Sequence, residues 1–432
     1  MSTELAARLA AMTPRQRAEL RDRLASASPR QDSLTPGQRR LWRTHHEHAG
    51  TPVDVVCQVV ELRGTVDTGA LVDRVRAFAQ AHEALRTTFT PVGDDDARPV
   101  VHDTLPPRVD RTPCADSATA HALAARLAAE PFDLAEGPLL RVTVAEGPDR
   151  GWLLVVAHNL VFDAWSFELL LDALDGGAGA GAPARPFSRF AAEQRRWLAG
   201  PDAAAAARYW TAEVADAPQA PPTDRPRGTD TPRAGARVDF EVGRATADGI
   251  AAGAKKAAAT PYAGWLAVLW AALAEHGGHE DVLLGTFTAG RDRPGDDRVV
   301  GYLLNVLPVR LRDPGGGSHG ARTRAAKAAT TAGLRHAGYP GELVGGPPPA
   351  AVFVFDDLAG PERTVAGVPA TTLDVDKGVA RYDLTVAVYP GADGATGWLE
   401  YDTARYDRDT VVRLAGRFTA IADAAAAEGG DA

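Results

Sequence analysis

An unbroken apolar run over residues 152–157 is the feature that most limits how this chain can fold. Such a run, bounded by polar residues, is typical of a strand that is buried on both faces of a sheet. Polar side chains follow it at once, beginning with His158 and Asn159 and continuing to Asp163. We therefore predict a central strand over residues 151–158 whose carboxyl end carries a candidate active site.

Strands and helices are mixed in both halves of the chain. Its 432 residues exceed what one ordinary core holds, so two or three domains are expected. In the first half, residue spacing predicts strands near 53–62 and 138–146, and helices near 68–84, 117–130 and 165–174. In the second half it predicts helices near 187–199, 203–215, 245–276 and 408–426, and strands near 281–288, 303–310, 350–356, 382–389 and 396–402. This mixture predicts two α/β lobes.

Changes in composition divide the chain into four parts. Residues 1–32 are a predicted helical extension, residues 33–175 the first lobe, residues 176–186 a connector rich in Gly, Ala and Pro, and residues 187–432 the second lobe. The extension has no apolar leader, and no stretch of about eighteen apolar residues occurs, so we expect neither secretion nor a membrane span and predict a cytoplasmic location. The extension is either a solvated surface helix or a docking helix for a partner protein.

Composition argues against several classes of function. A net charge of −9 disfavours nonspecific binding to nucleic acid or to anionic membranes. The two cysteines, Cys57 and Cys114, give no disulfide framework and no cysteine-bound metal, and we expect buried free thiols. His45, His46 and His48 lack a partner set of Cys or His ligands, so no metal site is predicted.

Residues 158–166 resemble the His-His-x-x-x-Asp-Gly signature of condensation domains from nonribosomal peptide synthetases. Asn159 stands in place of the second histidine, and Ala164 in place of the glycine. Other segments resemble further motifs of that family in the same order: 33–42, 82–89, 131–142, 187–197, 290–291 with 300–310, 336–343 and 382–407. Because the ordered set runs through most of the chain, the chain is identified as a member of this superfamily.

The resemblance implies two chloramphenicol-acetyltransferase-like lobes, arranged as a V-shaped pseudo-dimer around a central tunnel. It also implies that carrier proteins deliver an acyl donor, as a phosphopantetheine thioester, and an amine acceptor, so that no cofactor is bound by the protein itself. Because the chain ends soon after the second lobe, we expect a stand-alone monomer that meets its carriers, or a small-molecule amine, in trans.

The resemblance further assigns the residues of the site. Asn159 takes the catalytic position, and Asp163 is expected to pair with Arg291 of the second lobe. The other candidates are His158 and Arg86 as structural residues of the site, and Ala164, Trp165, Ser166 and Asn305 along the tunnel. For Trp165, packing is favoured over substrate contact, and for Ser166 a helix cap is favoured over a place in the donor channel.

Replacing the second histidine by asparagine removes a proton acceptor. His158 is not expected to substitute for it, because adjacent side chains of a strand point to opposite faces. Asparagine cannot act as a base, and general base catalysis is typically worth about 10² to 10⁴ in rate. A free amine is already nucleophilic, so aminolysis can proceed through positioning, whereas attack by a hydroxyl would suffer more.

Two hypotheses about function follow. The first is a condensation-type acyltransferase that forms an amide bond in natural-product biosynthesis, with Asn159 positioning the nucleophile. The second is a catalytically silent module that binds carrier proteins or recruits a tailoring enzyme. The short segment 345–349 stands where the family has its seventh motif, and it predicts an altered surface near the lobe interface.

Overall fold

The computed structural model describes residues 33–93, 95–176, 185–218, 221–226, 233–312, 317–346, 349–356 and 363–430. The predicted helical extension, most of the predicted connector and part of the segment 345–349 lie outside the described residues.

Strands and helices are mixed in both halves of the described chain, as the sequence predicts. Those of the first half are α1 (Pro36–Glu47), β1 (Val55–Leu62), α2 (Thr68–Ala81), β2 (Thr87–Pro91), β3 (Ala97–Val101), β4 (Arg108–Pro113), α3 (Ser117–Ala129), β5 (Leu140–Glu146), β6 (Gly151–His158) and α4 (Ala164–Asp175). Those of the second half are α5 (Phe187–Leu198), α6 (Pro201–Val214), β7 (Gly235–Gly243), α7 (Arg244–Lys256), α8 (Pro261–Gly277), β8 (Val282–Thr288), β9 (Asn305–Leu311), α9 (His319–Leu334), β10 (Ala351–Phe355), β11 (Arg363–Val365), β12 (Val368–Leu373), β13 (Leu384–Gly391), β14 (Gly394–Asp402) and α10 (Arg408–Gly430).

The predicted central strand is β6, and all of its residues are buried. It pairs in antiparallel fashion with β1 on one side and with β5 on the other. The strand order of this first sheet is β11-β12-β1-β6-β5-β4. A strand with neighbours on both edges and packing on both faces meets no water, which explains the unbroken apolar run.

The second sheet has the strand order β7-β14-β13-β10-β8-β9 and packs against α8, most of whose residues are buried. The predicted single helix over residues 245–276 is wrong, because α7 and α8 are separate helices. Thr260 caps α8 by accepting a hydrogen bond from the Ala263 N–H, and Pro261 begins the new helix. Proline lacks the N–H that would continue the preceding helix, so the chain turns there.

No single helix in the described part of the chain is long and apolar enough to cross a membrane. Among the described helices, α7 and α8 taken together, with a bend of 107° between them, reach the length and composition of a span.

The predicted boundary between the lobes is wrong for several segments of the second half. Strand β12 comes from the second half but pairs with β1 of the first sheet, with Val59 opposite Leu373. Helix α5 also belongs with the first core, where its Phe187 and Phe190 are buried. The exposed edge of β1 would otherwise leave unpaired backbone groups, and β12 satisfies them. The two halves are therefore interlocked rather than divided at residue 187.

Candidate active site at the junction of the two halves

Asp163 begins α4 and joins the two halves of the chain. Its Oδ1 caps the helix by accepting a hydrogen bond from the Ser166 amide N–H at 2.8 Å. Arg291 reaches both carboxylate oxygens, with Nη1 2.8 Å from Oδ2 and Nη2 3.0 Å from Oδ1. The Leu303 N–H also donates to Oδ2, at 3.0 Å. The predicted pair of Asp163 with Arg291 is formed, and it is almost completely buried.

The loop that carries Arg291 packs so closely against its neighbours that two of its positions, 290 and 301, require glycine. Gly290 has φ +64°, and a Cβ there would lie 1.8 Å from the Leu303 carbonyl oxygen. Gly301 has φ +148°, and a Cβ there would lie 2.3 Å from the ring of Phe187. Side chains are rarely compatible with such backbone angles, and here there is no room for them either. The loop is thus held in one shape against α4 and α5.

Ser166 is fully buried and binds across the junction instead of lining a channel. Its hydroxyl lies 2.7 Å from Asp163 Oδ1, and it accepts a hydrogen bond from the Gly301 N–H at 3.0 Å. The cap of α4 is Asp163, so both roles predicted for Ser166, channel residue and helix cap, are wrong. A serine three residues after an aspartate cap points back at the cap, and this places its hydroxyl between Asp163 and Gly301.

Asn159 directly follows β6 and is 8% exposed. Its backbone N–H donates to the Asp54 carbonyl oxygen at 2.9 Å, across from the start of β1. Its side-chain Oδ1 is buried and has no hydrogen-bond partner among the described residues. A buried acceptor without a partner is costly, so this oxygen is suited to a donor supplied by a ligand. The catalytic role of Asn159 stays a prediction.

His158 is engaged on both ring nitrogens. Its Nδ1 accepts from the Leu160 N–H at 3.2 Å, so Nε2 carries the proton and faces His45 Nδ1 at 3.2 Å. Burial first, and then the nearby His45 and Arg381, holds the pKa of His158 well below its usual value. His158 is therefore neutral, and its acceptor nitrogen is occupied. Its contacts are those of a structural residue that does not supply the missing base.

The neighbouring histidines do not converge on one point. His45 faces His158, the His46 Nδ1–H donates to the Trp42 carbonyl oxygen at 2.8 Å, and His48 Nε2 accepts from Arg233. Within the described ranges, no group of three His, Cys, Asp or Glu side chains is arranged to hold a metal ion. Cys57 and Cys114 are buried and free there.

Arg86 does not take part in this site, which corrects its predicted place. Its guanidinium donates to the backbone carbonyls of Gln80, His102 and Asp103. No contact between described residues joins it to Asp163 or Asn159. Arg86 directly precedes β2, and its hydrogen bonds join the last turn of α2 to the residues that follow β3.

The other predicted tunnel residues lie in different surroundings. Ala164 is exposed, and Trp165 is 40% exposed with its Nε1–H donating to the Asp297 carbonyl oxygen at 2.9 Å. Asn305 lines a cleft of about 320 Å³ together with Trp197 and Tyr302, but its amide is already occupied by backbone groups. It donates to the carbonyls of residues 337 and 339 and accepts from the N–H of residue 341. The predicted place of these residues along a substrate tunnel stays a prediction.

Sequence analysis missed a second set of polar contacts between the halves. Asp54 is 2% exposed and pairs with Arg381, whose Nη2 lies 2.5 Å from its Oδ1. Arg40 of the first half also contacts the second half. It donates a hydrogen bond to the Tyr302 hydroxyl at 2.8 Å and forms an ion pair with Glu342 at 3.2 Å. A signal for Asp54 was present, because it is an isolated acid beside the apolar start of β1 and opposite the end of β6.

Comparison with known proteins identifies a family to which this chain is similar along most of its length. The condensation-domain family model matches residues 30–431. Phosphinothricin tripeptide synthetase PhsC of Streptomyces viridochromogenes is 31% identical over 471 aligned positions, which cover 99% of this chain and 43% of that protein. The chain thus spans less than half the length of this relative.

Two solved structures show the same fold. The condensation domain of the monacolin K polyketide synthase MokA superposes with a TM-score of 0.81 at 19% identity, covering 92% of this chain and 98% of that one. The X-domain in its complex with OxyB from teicoplanin biosynthesis superposes with a TM-score of 0.78 at 22% identity, covering 94% and 95%. The predicted fold class, two chloramphenicol-acetyltransferase-like lobes, is confirmed.

Proposed function

Because this chain belongs to the condensation-domain family, and condensation domains are in general acyltransferases, we propose that it forms an amide bond in nonribosomal peptide biosynthesis. Its donor is an acyl or aminoacyl group held as a phosphopantetheine thioester on a carrier protein. Its acceptor is an amine, either free or on a second carrier. The carriers bind in trans to the two-lobed protein.

The observation that carries this proposal is the polar junction at Asp163 together with the buried, unpartnered side-chain oxygen of Asn159. Asp163 receives hydrogen bonds from Arg291, Ser166 and Leu303, which fix the loop between β6 and α4. That loop holds Asn159 buried, with its side-chain oxygen unpartnered. A protein that kept only the fold would not need a free acceptor at this position, since a buried polar atom without a partner costs stability.

The reaction requires only a hydrogen-bond acceptor, and no base, from the side chain at position 159. The amine nitrogen attacks the thioester carbonyl carbon, the C–N bond forms, the C–S bond breaks, and the amine proton leaves with the thiol. Asn159 accepts a hydrogen bond from the amine N–H and so fixes the direction of attack. Holding two reactants in position can be worth effective molarities of about 10⁵ M or more, which exceeds the usual contribution of a base.

The test is product formation from loaded carriers and a panel of amines, followed by mass spectrometry. We expect the wild-type protein to form amide, and Asn159→Ala to form it more slowly while keeping the same unfolding midpoint. Asn159→His tests whether a base adds to the rate, and Asp163→Ala tests the junction. If no donor and amine give product with the wild-type protein, the proposal is wrong.

One observation favours a catalytically silent module instead. The base expected by the family is absent at Asn159, and a structurally similar protein, the teicoplanin X-domain, has been solved in complex with OxyB. In that case the protein would hold a loaded carrier or a tailoring enzyme without forming product. Tight carrier binding by calorimetry, combined with no amide formation and no effect of Asn159→Ala on binding, would favour this second function.

A further inference from the structure

A buried side chain of α1 holds the loop that follows β6 at the residue next to Asn159. Gln38 lies in the first turn of α1 and is 4% exposed, and its Nε2–H donates to the Leu160 carbonyl oxygen at 3.0 Å. On the other side of Asn159, its own N–H donates to the Asp54 carbonyl oxygen at 2.9 Å. Peptide planes are rigid, so two backbone groups fixed on either side leave the Asn159 Cα little freedom.

The start of α1 determines which way the Gln38 amide points. Gln38 Oε1 accepts a hydrogen bond from the Thr35 N–H at 3.2 Å, and the Thr35 hydroxyl accepts one from the Gln38 N–H, also at 3.2 Å. This is a capping box, in which either glutamate or glutamine can occupy the third helical position. Glutamine alone also carries an NH₂ group, and this group meets the Leu160 carbonyl oxygen. The opposite orientation of the amide would bring two donors together at Thr35 and two acceptors together at Leu160.

The first turn of α1 is itself held by the second half of the chain. Arg40 donates to the Tyr302 hydroxyl at 2.8 Å and pairs with Glu342 at 3.2 Å. A Cβ at Gly37 would lie 2.9 Å from the Tyr302 ring, so the helix backbone packs directly against that ring. Through Gln38, the position of the loop after β6 therefore depends on how the second half packs against this turn.

We propose that Gln38 is a positioning residue, which aligns the Asn159 side chain for the reaction through the Leu160 carbonyl group. Its effect on the rate rests on the proposed function, whereas its effect on the loop does not. Asn159 Oδ1 is buried and has no partner among the described residues, so a small movement of the loop changes where this acceptor meets an amine. A misplacement of about 1 Å can lower a rate by about 100-fold.

The first test is the kinetics of Gln38→Glu, assayed well below the unfolding midpoint of each protein. This variant keeps an acceptor for the Thr35 N–H, but its carboxylate faces the Leu160 carbonyl oxygen with a second acceptor. We expect kcat for amide formation to fall by about tenfold to 100-fold at neutral pH, with KM changed by no more than about twofold. A protonated carboxyl group regains a donor, and burial raises the pKa of a carboxyl group. The ratio of the variant's kcat to that of the wild-type protein should therefore rise as the pH is lowered toward about 5.

Thr35→Ala is the matched control, because it removes the side-chain cap of the same helix but keeps the backbone N–H that orients the Gln38 amide. Loss of a cap typically costs about 1 kcal/mol of stability, so the unfolding midpoint should fall. The control should keep the wild-type kcat within about twofold, because the bond to Leu160 remains. Equal losses of kcat in Thr35→Ala and Gln38→Glu would overturn the inference.

The second test needs no product. Hydrogen exchange at neutral pH, read by mass spectrometry of peptides that span residues 159–163, reports how firmly the loop is held. We expect faster exchange in Gln38→Glu and wild-type exchange in Thr35→Ala. Unchanged exchange in Gln38→Glu would show that Gln38 does not hold the loop. If exchange changes as expected but the wild-type protein forms no amide, the control of the loop by Gln38 stands and the proposed function alone fails.

Discussion

Arg291 Nη1 lies 2.8 Å from Asp163 Oδ2, and Nη2 lies 3.0 Å from Oδ1, in a contact from which water is excluded. Removing one partner of a buried ion pair leaves the other charge unpaired, at a cost of about 3–5 kcal/mol. We therefore expect Asp163→Ala to lower the free energy of unfolding by about that amount. Urea denaturation at fixed pH measures the change.

The control for this prediction is Arg76→Ala, which removes an exposed helical ion pair with Asp73. A surface substitution of that kind should change stability by no more than about 0.5 kcal/mol. The double variant Asp163→Ala with Arg291→Ala should be more stable than the single Asp163→Ala, because no buried charge is left without a partner. Additive losses in the double variant would contradict this account of the junction.

The lack of a base at position 159 predicts a strong preference for amine acceptors. A hydroxyl must lose its proton to become reactive, whereas a free amine need not, and general base catalysis is worth about 10² to 10⁴ in rate. We expect the wild-type protein to form amide from an amine and almost no ester from the matched alcohol. Asn159→His should raise the ester rate more than the amide rate. Competition assays with both acceptors, read by mass spectrometry, measure the ratio, and an unchanged ratio would argue against this mechanism.

Stability should fall in mild acid because His158 resists protonation. Burial, with His45 and Arg381, holds the pKa of His158 well below the value of about 6.5 that it has in the unfolded chain. Below about pH 6.5 the unfolded chain binds a proton that the folded chain does not, so the free energy of unfolding decreases as pH falls. The loss for one such group is at most about 1.4 kcal/mol per pH unit.

Denaturation curves at several pH values between about 7 and 5 measure how the free energy of unfolding depends on pH. His158→Gln should flatten it by removing one titrating group, whatever its effect on absolute stability. His82, whose pKa is lowered to about 4 by burial, contributes in the same direction and remains in that variant. An unchanged slope in His158→Gln would show that His158 is protonated in the folded protein.

The glycine that begins the Arg291 segment should be intolerant of substitution. In Gly290→Ala the new Cβ would overlap the Leu303 carbonyl oxygen and the residue would keep φ +64°. Gly176→Ala is a matched control, since Gly176 has φ +81° but open space around it. The control should lose only the conformational cost of about 1–2 kcal/mol. Gly290→Ala should lose more than this in thermal or urea unfolding, and similar losses in both would mean that the loop moves freely.

Local residue patterns were sufficient to predict most helices and strands. They were also sufficient to align residues 158–166 with the family signature. The apolar run predicts β6, and the order of the motifs predicts the pair of Asp163 with Arg291, and both are present in the structure. The catalytic position of Asn159, which the same motifs imply, stays a prediction. These predictions depend on strand alternation and on short segments that are alike in relatives. They do not require knowledge of which distant segments meet.

The errors had two sources, a local signal that was missed and contacts between distant segments. The single helix predicted over 245–276 is divided because Thr260 and Pro261 together form a helix start, a local signal that was overlooked. The place of β12 beside β1 has no local signal, since any strand with a free edge could have taken it. Arg86 resembles a site residue by motif, yet its nearest acceptors are backbone carbonyls.

The sequence by itself determined the family, the central strand and the replacement of a base by Asn159. Only the tertiary structure decided which polar side chains pair across the junction of the two halves. The carboxylate of Asp54, the cation Arg381 and the hydroxyl of Ser166 come from different segments, and their hydrogen bonds depend on how two interlocked sheets close on each other. A buried polar group is satisfied or left free by its neighbours in space, and the residue pattern along the chain does not specify those neighbours.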